Sequence, residues 1–350
     1  MSRSDVRLRQ RTGAEFTAIL GLGDHRPERI VPNSEIVEAI DSSDEWIRDR
    51  SGIGARRVAA PEETVVIMAA EAGRAALADA GITPEQVDLI ILATITHPWQ
   101  TPAAGPMVAD ALGAVNAAAY DLGAACAGFC YGIAAADDAV RSGSATHVLV
   151  IGVEKFSDFR DPADRTTAFI FGDGAGAAVV GPSDSPGISA SVLGADGSGA
   201  MTIAQTHDWT VLRRDWETME STGALPAEVF PFPSIGMEGP SVFRWAITSM
   251  APVIGQILEA AGMTVDDLDV FVPHQANVRI IDTMTKRAGL PEHVVVARED
   301  LTDMANTSAA SIPLALTRMV REGKAKSGDL ALLMGFGAGL AWAGQIIRVP

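Results

Sequence analysis

"LADAGITPEQVDLIILAT" (77–94) and "LEAAGMTVDDLDVFVPHQ" (258–275) carry one pattern: a helix end, an Ala-Gly cap, a Thr-started acidic turn and an apolar strand. Ala80, Gly81, Thr83 and Asp88 align with Ala261, Gly262, Thr264 and Asp269 at a constant offset of 181. A second echo joins "GDGAGAAVVG" (172–181) to "GFGAGLAWAG" (335–344), each read as a glycine turn feeding an apolar strand, at an offset of 163. Two echoes in the same order predict a duplicated α/β unit. The division falls where "GPSDSPGISASVLGADGSG" (181–199) reads as turns with one strand, which sets the halves at 1–184 and 185–350.

Within each half, helical and strand periods alternate. Residues 62–81 place Val66, Ala69, Ala70, Leu77 and Ala80 near one helical face and close on Gly81 as a C-cap. "VDLIILATI" (87–95) and "HVLVIGVE" (147–154) are unbroken apolar runs, as strands buried on both faces are. A largely parallel α/β sheet covered by helices follows. Leu330 opens the most apolar stretch, which runs to Ile347, but its four glycines and Gln345 fit two buried strands around a tight turn better than a membrane span. The first residues, "MSRSDVRLRQRTGAEF", lack an apolar signal core, and two cysteines in 350 residues fit a reducing compartment, so the expectation is a cytoplasmic protein. A net charge of −17 opposes binding to nucleic acid or anionic membrane and leaves an acidic partner dependent on a local basic patch.

Both cysteines sit in "DLGAACAGFCYG" (121–132). "AAYDL" reads as a strand, "GAA" as a turn and "CAGFCYGIAAADDAVRSG" as a helix, with Cys126 at its first turn, where unpaired N–H groups and the dipole favour a thiolate. Cys130 lies one turn further on. The pair is near the upper limit for a strain-free disulfide, no neighbouring ligands complete a metal site, and the spacing is not C-x-x-C; two small buried thiols remain the plain alternative. His274, just after the strand of "DVFVPHQAN", is the candidate base, with His97 in the duplicate position after "IILATIT"; each reads equally as a satisfied structural histidine. Asn306 in "ANTSAAS" offers a polar head or a helix cap, and the amides of "GFGAG" offer an oxyanion site or a tight hairpin.

Together "DSSDEWIRDRSGI" (41–53), "AACAGF" (124–129), "DRTTAFIFGDGAGA" (164–177), "VPHQAN" (272–277), "NTSAAS" (306–311) and "GFGAG" (335–339) resemble the thiolase superfamily, specifically the β-ketoacyl-acyl carrier protein synthase III enzymes of actinobacterial type. The resemblance implies a thiolase-like five-layered αβαβα sandwich of two duplicated halves, a homodimer and no bound cofactor. It implies that Cys126 takes an acyl group from an acyl-CoA primer. Malonyl-acyl carrier protein then loses CO2, and its enolate attacks the acyl group to give a 3-oxoacyl-carrier protein. His274 and Asn306 are then the enolate donors, and the backbone amides of Cys126 and Ala338 the oxyanion donors. Ala338 replaces a glycine found in many relatives, a change a backbone donor tolerates.

By the same likeness Trp46 stacks on adenine, Arg50 and Arg165 face CoA phosphates, and Phe243 and Asn277 line the pantetheine tunnel. Phe171 and Thr101 belong to the acyl pocket; Thr101 stands where many straight-chain relatives place an aromatic residue from the second subunit, leaving room for longer or branched primers. Arg279, Lys286 and Arg287 lie on one helix after His274, and with Arg244 they form the docking patch for an acidic carrier protein. Two departures stand out: Met304 and Ala305 replace the usual glycine before Asn306, and residues 204–233 are longer than in shorter members. A priming ketosynthase of a polyketide pathway, a non-decarboxylating acyltransferase and a catalytically silent acyl-binding homologue are the rival readings.

Overall fold

The computed structural model describes residues 11–223 and 232–350. Each copy of the opening repeat folds the same way. Gly81 (φ 66°) and Gly262 (φ 68°) take the left-handed conformation that ends a helix, which glycine adopts without a Cβ penalty. The Thr83 N–H donates to Gln86 Oε1 and the Thr264 N–H to Asp267 Oδ2, both at 2.8 Å, closing matched capping boxes. Asp88 Oδ2 then accepts the Thr146 N–H and Asp269 Oδ2 the Leu330 N–H, so each aspartate staples its strand to the start of the neighbouring one.

The strands are β1 (Phe16–His25), β2 (Arg29–Pro32), β3 (Ala55–Val58), β4 (Leu89–Ala93), β5 (Ala118–Leu122), β6 (Val148–Glu154), β7 (Gly174–Ser183), β8 (Val192–Ala195), β9 (Ile203–Gln205), β10 (Ile235–Met237), β11 (Val270–Pro273), β12 (Val295–Val296), β13 (Leu330–Gly337) and β14 (Ala341–Arg348). Two five-stranded sheets run β1-β7-β6-β4-β5 and β8-β14-β13-β11-β12, one order repeated; β2 with β3 and β9 with β10 form small ribbons. In each sheet only the strand next to one edge, β4 or β11, pairs in parallel on both sides, and the other pairings are antiparallel. The sheets are therefore mixed rather than largely parallel. In the second sheet the reason is local: three residues join β13 to β14, and so short a connection makes only an antiparallel pair.

The helices are α1 (Asp44–Ser51), α2 (Val65–Ala80), α3 (Ala104–Leu112), α4 (Gly128–Arg141), α5 (Trp209–Thr222), α6 (Gly239–Ala261), α7 (Val278–Ala288), α8 (Asp300–Asp303) and α9 (Ser311–Arg321). α2 and α3 cover the outer face of the first sheet, α6 and α7 that of the second, and α4 and α9 fill the space between the sheets. This is the αβαβα sandwich. The buried face of α2 is Val65, Met68, Ala69, Ala70, Ala72, Gly73, Ala76 and Leu77; Ala69, Ala70 and Leu77 of the stripe read in sequence are buried, while Val66 and Ala80 at its margin are only partly covered.

Two further expectations shift with strand register. Gly174 pairs with Glu154 and Ala341 with Gly337, so Gly174 corresponds to Ala341, and the glycine echo at 163 is similar sequence out of structural step. Likewise Leu89 pairs with Val148 and Val270 with Ala331, which makes Ala93, not His97, the counterpart of His274.

The halves lock through two matching 3₁₀ turns. Ala125–Ala127 leads into α4 and Ser308–Ala310 into α9, and each contains a left-handed non-glycine residue, Ala125 (φ 45°) and Ser308 (φ 47°). The second turn lies on β6, where a Cβ at Gly152 would meet the Ala309 carbonyl oxygen at 2.2 Å. The first lies on β13, where a Cβ at Gly335 would meet Ala127 Cα at 2.8 Å. Since backbone rather than a flexible side chain fills the space, Gly152→Ala is expected to destabilise the protein by about 1–3 kcal/mol in denaturant unfolding.

Candidate active site

Three strand or turn ends converge on one largely apolar cavity of about 370 Å³, lined among others by Cys126, His274, Asn306, Phe171, Ser308 and Ala338. Its size lies within the range of small-molecule sites, roughly 300–1000 Å³. Cys126 enters from the turn after β5, His274 from the end of β11, and Asn306 from the turn before α9. Cys130 is a free thiol one turn deeper, fully buried, and does not line the cavity.

Cys126 sits tightly against β13: a Cβ at Gly337 would lie 2.7 Å from its Sγ. Burial pushes its pKa up to about 11, with the nearby Glu154 carboxylate adding to the rise and Ser308 together with the Ala338 and Cys126 amides pulling it back. The thiolate expected from the helix start is therefore not the resting form. At pH 7 roughly one thiol in ten thousand is ionised. Desolvation outweighs the donors of the turn, because a buried anion loses more from water than two amides return.

His274 is also sealed from water, at 2% exposure. Burial holds its pKa down to about 3, so the ring is neutral and forms no standing ion pair with the thiol. Its backbone N–H donates to the Met334 carbonyl (2.8 Å), and Phe336 packs on the ring edge-on at 5.5 Å. Nδ1 lies 2.7 Å from Ser311 Oγ, which itself accepts the Gln275 N–H at 3.3 Å. Among the described residues Nδ1 is the only acceptor for the Ser311 hydroxyl proton, which assigns the ring proton to Nε2.

Asn306 is held by backbone. Its N–H donates to Ile170 O (2.9 Å) and its carbonyl accepts the Gly172 N–H (3.0 Å), forming a bridge with Phe171. Asn306 Oδ1 accepts the Ser308 N–H at 2.8 Å, so Nδ2 carries the free donors. The preceding Ala305 is left-handed (φ 57°), a conformation that costs a residue with a Cβ roughly 1–2 kcal/mol. The bridge to Phe171 keeps Asn306 in the cavity wall despite that strain. Two neutral N–H donors thus face one apolar space with a thiol, an arrangement suited to a negative oxygen that exists only during reaction.

At the cavity mouth, the guanidinium carbons of Arg50 and Arg165 lie 5.8 and 5.7 Å from the Trp46 ring centre. Trp46 and Arg165 line the cavity; Arg50 does not. Asn277 lines it as well, with Nδ2 donating to Arg50 O (2.8 Å) and Oδ1 capping α7 through the Arg279 N–H. Phe243 lines the wall, and Arg279 stacks on it at 5.7 Å. The rest of the basic set is spread out: Lys286 and Arg287 lie in the last turn of α7, Arg287 donates to Ile247 O, and Arg244 is exposed on α6. Thr101 is exposed and outside the cavity of its own chain.

Sequence reading missed much of the wall. Ile203, Ile235 and Met237 reach it from β9 and β10, which lie within or beside the long 204–233 segment; residues 224–231 of that segment lie outside the described residues. Glu154 and Ser311 gave no signal as functional residues, although Ser311 stands inside a quoted motif. The buried neutral His274 predicts a measurable property: by NMR its ring stays neutral with the proton on Nε2 from pH 8 down to pH 5, where an exposed histidine is mostly charged.

A family model described as 3-oxoacyl-[acyl-carrier-protein] synthase III matches residues 120–217, and one described as the C-terminal part of that enzyme matches residues 258–349. The β-ketoacyl-[acyl-carrier-protein] synthase III 1 of Streptomyces avermitilis is 52% identical, covering 98% of this chain and 99% of its own, and that of Streptomyces coelicolor 53%, covering 97% and 98%. Among solved structures, the priming β-ketosynthase of the R1128 polyketide pathway superposes with a TM-score of 0.90 at 46% identity, covering 99% of both chains. The 3-oxoacyl-[acyl-carrier-protein] synthase III of Aquifex aeolicus superposes at 0.84 with 39% identity, covering 95% of this chain and 99% of its own.

Proposed function

The chain belongs to the 3-oxoacyl-[acyl-carrier-protein] synthase III family, and from that membership we propose a residue-level route for its condensing acyl transfer. The enzyme is a ketosynthase that joins an acyl-CoA primer to malonyl-acyl carrier protein, releasing CoA, CO2 and 3-oxoacyl-acyl carrier protein. Cys126 attacks the primer thioester, and the Cys126 and Ala338 amides hold the oxyanion of the tetrahedral intermediate. After CoA leaves, the malonyl group enters the same cavity. The enolate oxygen formed as CO2 departs is held by His274 Nε2–H and Asn306 Nδ2–H, and the enolate carbon attacks the acyl group on Cys126. One observation carries this reading: a buried thiol and two neutral donors line a single cavity. Neutral donors suit the step, because a charged imidazolium would hand its proton to the enolate and quench it.

Trp46 with Arg50 and Arg165 forms the nucleotide end of the primer site, since an aromatic ring flanked by guanidiniums fits a base with its phosphates. Phe171 and Phe156, stacked at 4.2 Å, form part of the acyl wall. Thr101 contributes to that pocket only in a second subunit. Homodimer formation is supported by the open edge of β5, beside which Trp99, Val115 and Tyr120 are exposed. No described helix is long and apolar enough to cross a membrane. A second reading, priming of a polyketide chain, is favoured by the likeness to the R1128 ketosynthase. The two readings share every residue named here and part only over which pathway consumes the product.

Incubation with radiolabelled acyl-CoA tests the central claim. Label is expected on Cys126 in the wild type, to be absent from Cys126→Ala, and to persist in Cys130→Ala; label on Cys130 would overturn the assignment. Arg279 is the docking residue closest to the mouth through Phe243. Arg279→Glu is expected to raise KM for malonyl-acyl carrier protein about tenfold or more while sparing acyl-CoA loading, and equal loss of both would remove it from the docking surface.

A further inference from the structure

Glu154 ends β6, fully buried, two residues beyond Gly152 and so on the strand face against which the Ser308–Ala310 turn rests. Its carboxylate is held on one side only. Oε2 accepts from Thr96 Oγ1 (2.7 Å), the Ile95 N–H (3.1 Å) and Thr94 Oγ1 (3.2 Å), whereas Oε1 is buried without a partner among the described residues. Ser308 Oγ is likewise buried and completes no hydrogen bond. Yet the Ser308 hydroxyl is placed near enough to both Cys126 and Glu154 to lower the pKa of each. A carboxylate that served only to pin residues 94–96 would not need a second buried oxygen left unpartnered on the strand face where the turn bearing the unpartnered Ser308 hydroxyl rests.

We propose that Glu154, acting through the Ser308 hydroxyl, takes up the Cys126 proton during acyl loading and returns it to the departing CoA sulfur. The proposal rests on Cys126 as the nucleophile. As Cys126 Sγ bonds to the primer carbonyl, its proton passes to Ser308 Oγ and the Ser308 proton to Glu154 Oε1. When the carbonyl re-forms and the carbon–sulfur bond to CoA breaks, the same path delivers a proton to the CoA thiolate. Glu154 is again ionised, and no proton is gained or lost.

Two arguments favour Glu154 over His274 as the acceptor. Burial raises the Glu154 pKa to about 7 but depresses that of His274 to about 3, so the carboxylate is by far the stronger base. Moreover, a thiolate formed beside an ionised Glu154 would put two anions into a dry site, whereas transfer of the proton moves one charge from carboxylate to sulfur. Among the described residues no charged group is a leading influence on Glu154, and Asp173, just before β7, is taken up by Ser157 and the Ala59 N–H. β4 and β7 carry no charged residue. On α2, Glu71 pairs with Arg74 at the surface and Asp79 accepts the Leu22 N–H. On α4, Asp137 is bonded to Thr17, while Asp138 and Arg141 lie in the last turn. Lys155 turns away to the Ala60 carbonyl and Asp158, and His97 follows Thr96 with both ring nitrogens unpartnered.

Single-turnover acylation of Cys126 by acetyl-CoA and isobutyryl-CoA, followed by mass spectrometry from pH 5.5 to 9, tests the relay. Wild-type loading is expected to rise through about pH 7 as Glu154 ionises. Glu154→Gln is expected to load at least tenfold slower at pH 8 and to lose that rise. Ser308→Ala leaves the Glu154 bonds to residues 94–96 in place and is expected to behave the same, which keeps the test open if Glu154→Gln fails to fold. The double variant should be no slower than either single one. Loading by Glu154→Gln as fast as wild type or faster, the result for a carboxylate that merely opposes the thiolate, overturns the proposal. So does survival of the rise in both variants. A wild-type enzyme that takes no acyl group on Cys126 overturns the reading of the nucleophile as well.

Discussion

The close approach of each half's 3₁₀ turn to the other half's central sheet governs the rest of the molecule. Gly152 lets the Ser308–Ala310 turn rest on β6, and Gly335 with Gly337 lets the Cys126 turn rest on β13. Since both turns also lead into the central helices, a shift in either would displace α4 or α9 and with it the whole middle layer. The left-handed Ala125 and Ser308 show that backbone strain is tolerated here because packing on both sides determines the path. The same lock brings Cys126, His274 and Asn306 together, although they are distant in the chain.

The lock also decides the electrostatics. Pressing a thiol, an imidazole and a carboxylate into a space closed by strands removes their water. Each responds by favouring its neutral form: Cys126 and Glu154 upward, His274 downward. At rest the thiol and the imidazole are therefore neutral while Glu154, with a pKa of about 7, carries its charge in about half of the molecules at pH 7, and the donors gain strength only when an oxygen turns negative in front of them. At the mouth the balance reverses. Arg50, Arg165 and Arg279 lie against aromatic rings on a chain whose overall charge is −17, which concentrates attraction for anionic ligands at one opening.

Much of this was legible because local signals repeat. The Ala-Gly caps and Thr-started turns are set by backbone conformations that few residues satisfy, so Gly81 and Gly262 or Thr83 and Thr264 can be matched by eye. That Cys126, His274 and Asn306 meet in one cavity was legible for a different reason: each stands in a short motif at the end of an element, where loops deliver chemistry. Register was not legible. The glycine echo at 163 looked right in the letters and fails in the strand ladders, because a ladder is set by hydrogen bonds to a distant strand, whereas the pairing of His97 with His274 already broke the offset of 181, which sets Ala93 opposite His274.

The sequence by itself thus determined the duplication, the α/β class, the family and the residue types at the centre, since periodicity, caps and motifs are properties of neighbouring residues. Only the tertiary structure decided what those residues are like. It made the thiol a weak acid rather than the thiolate a helix start suggests, fixed the histidine as neutral through burial and Ser311, and set the Ser308 turn on the strand that ends in Glu154. Proton affinity depends on how much water and which partners surround a group, and both are supplied by segments far away in the chain.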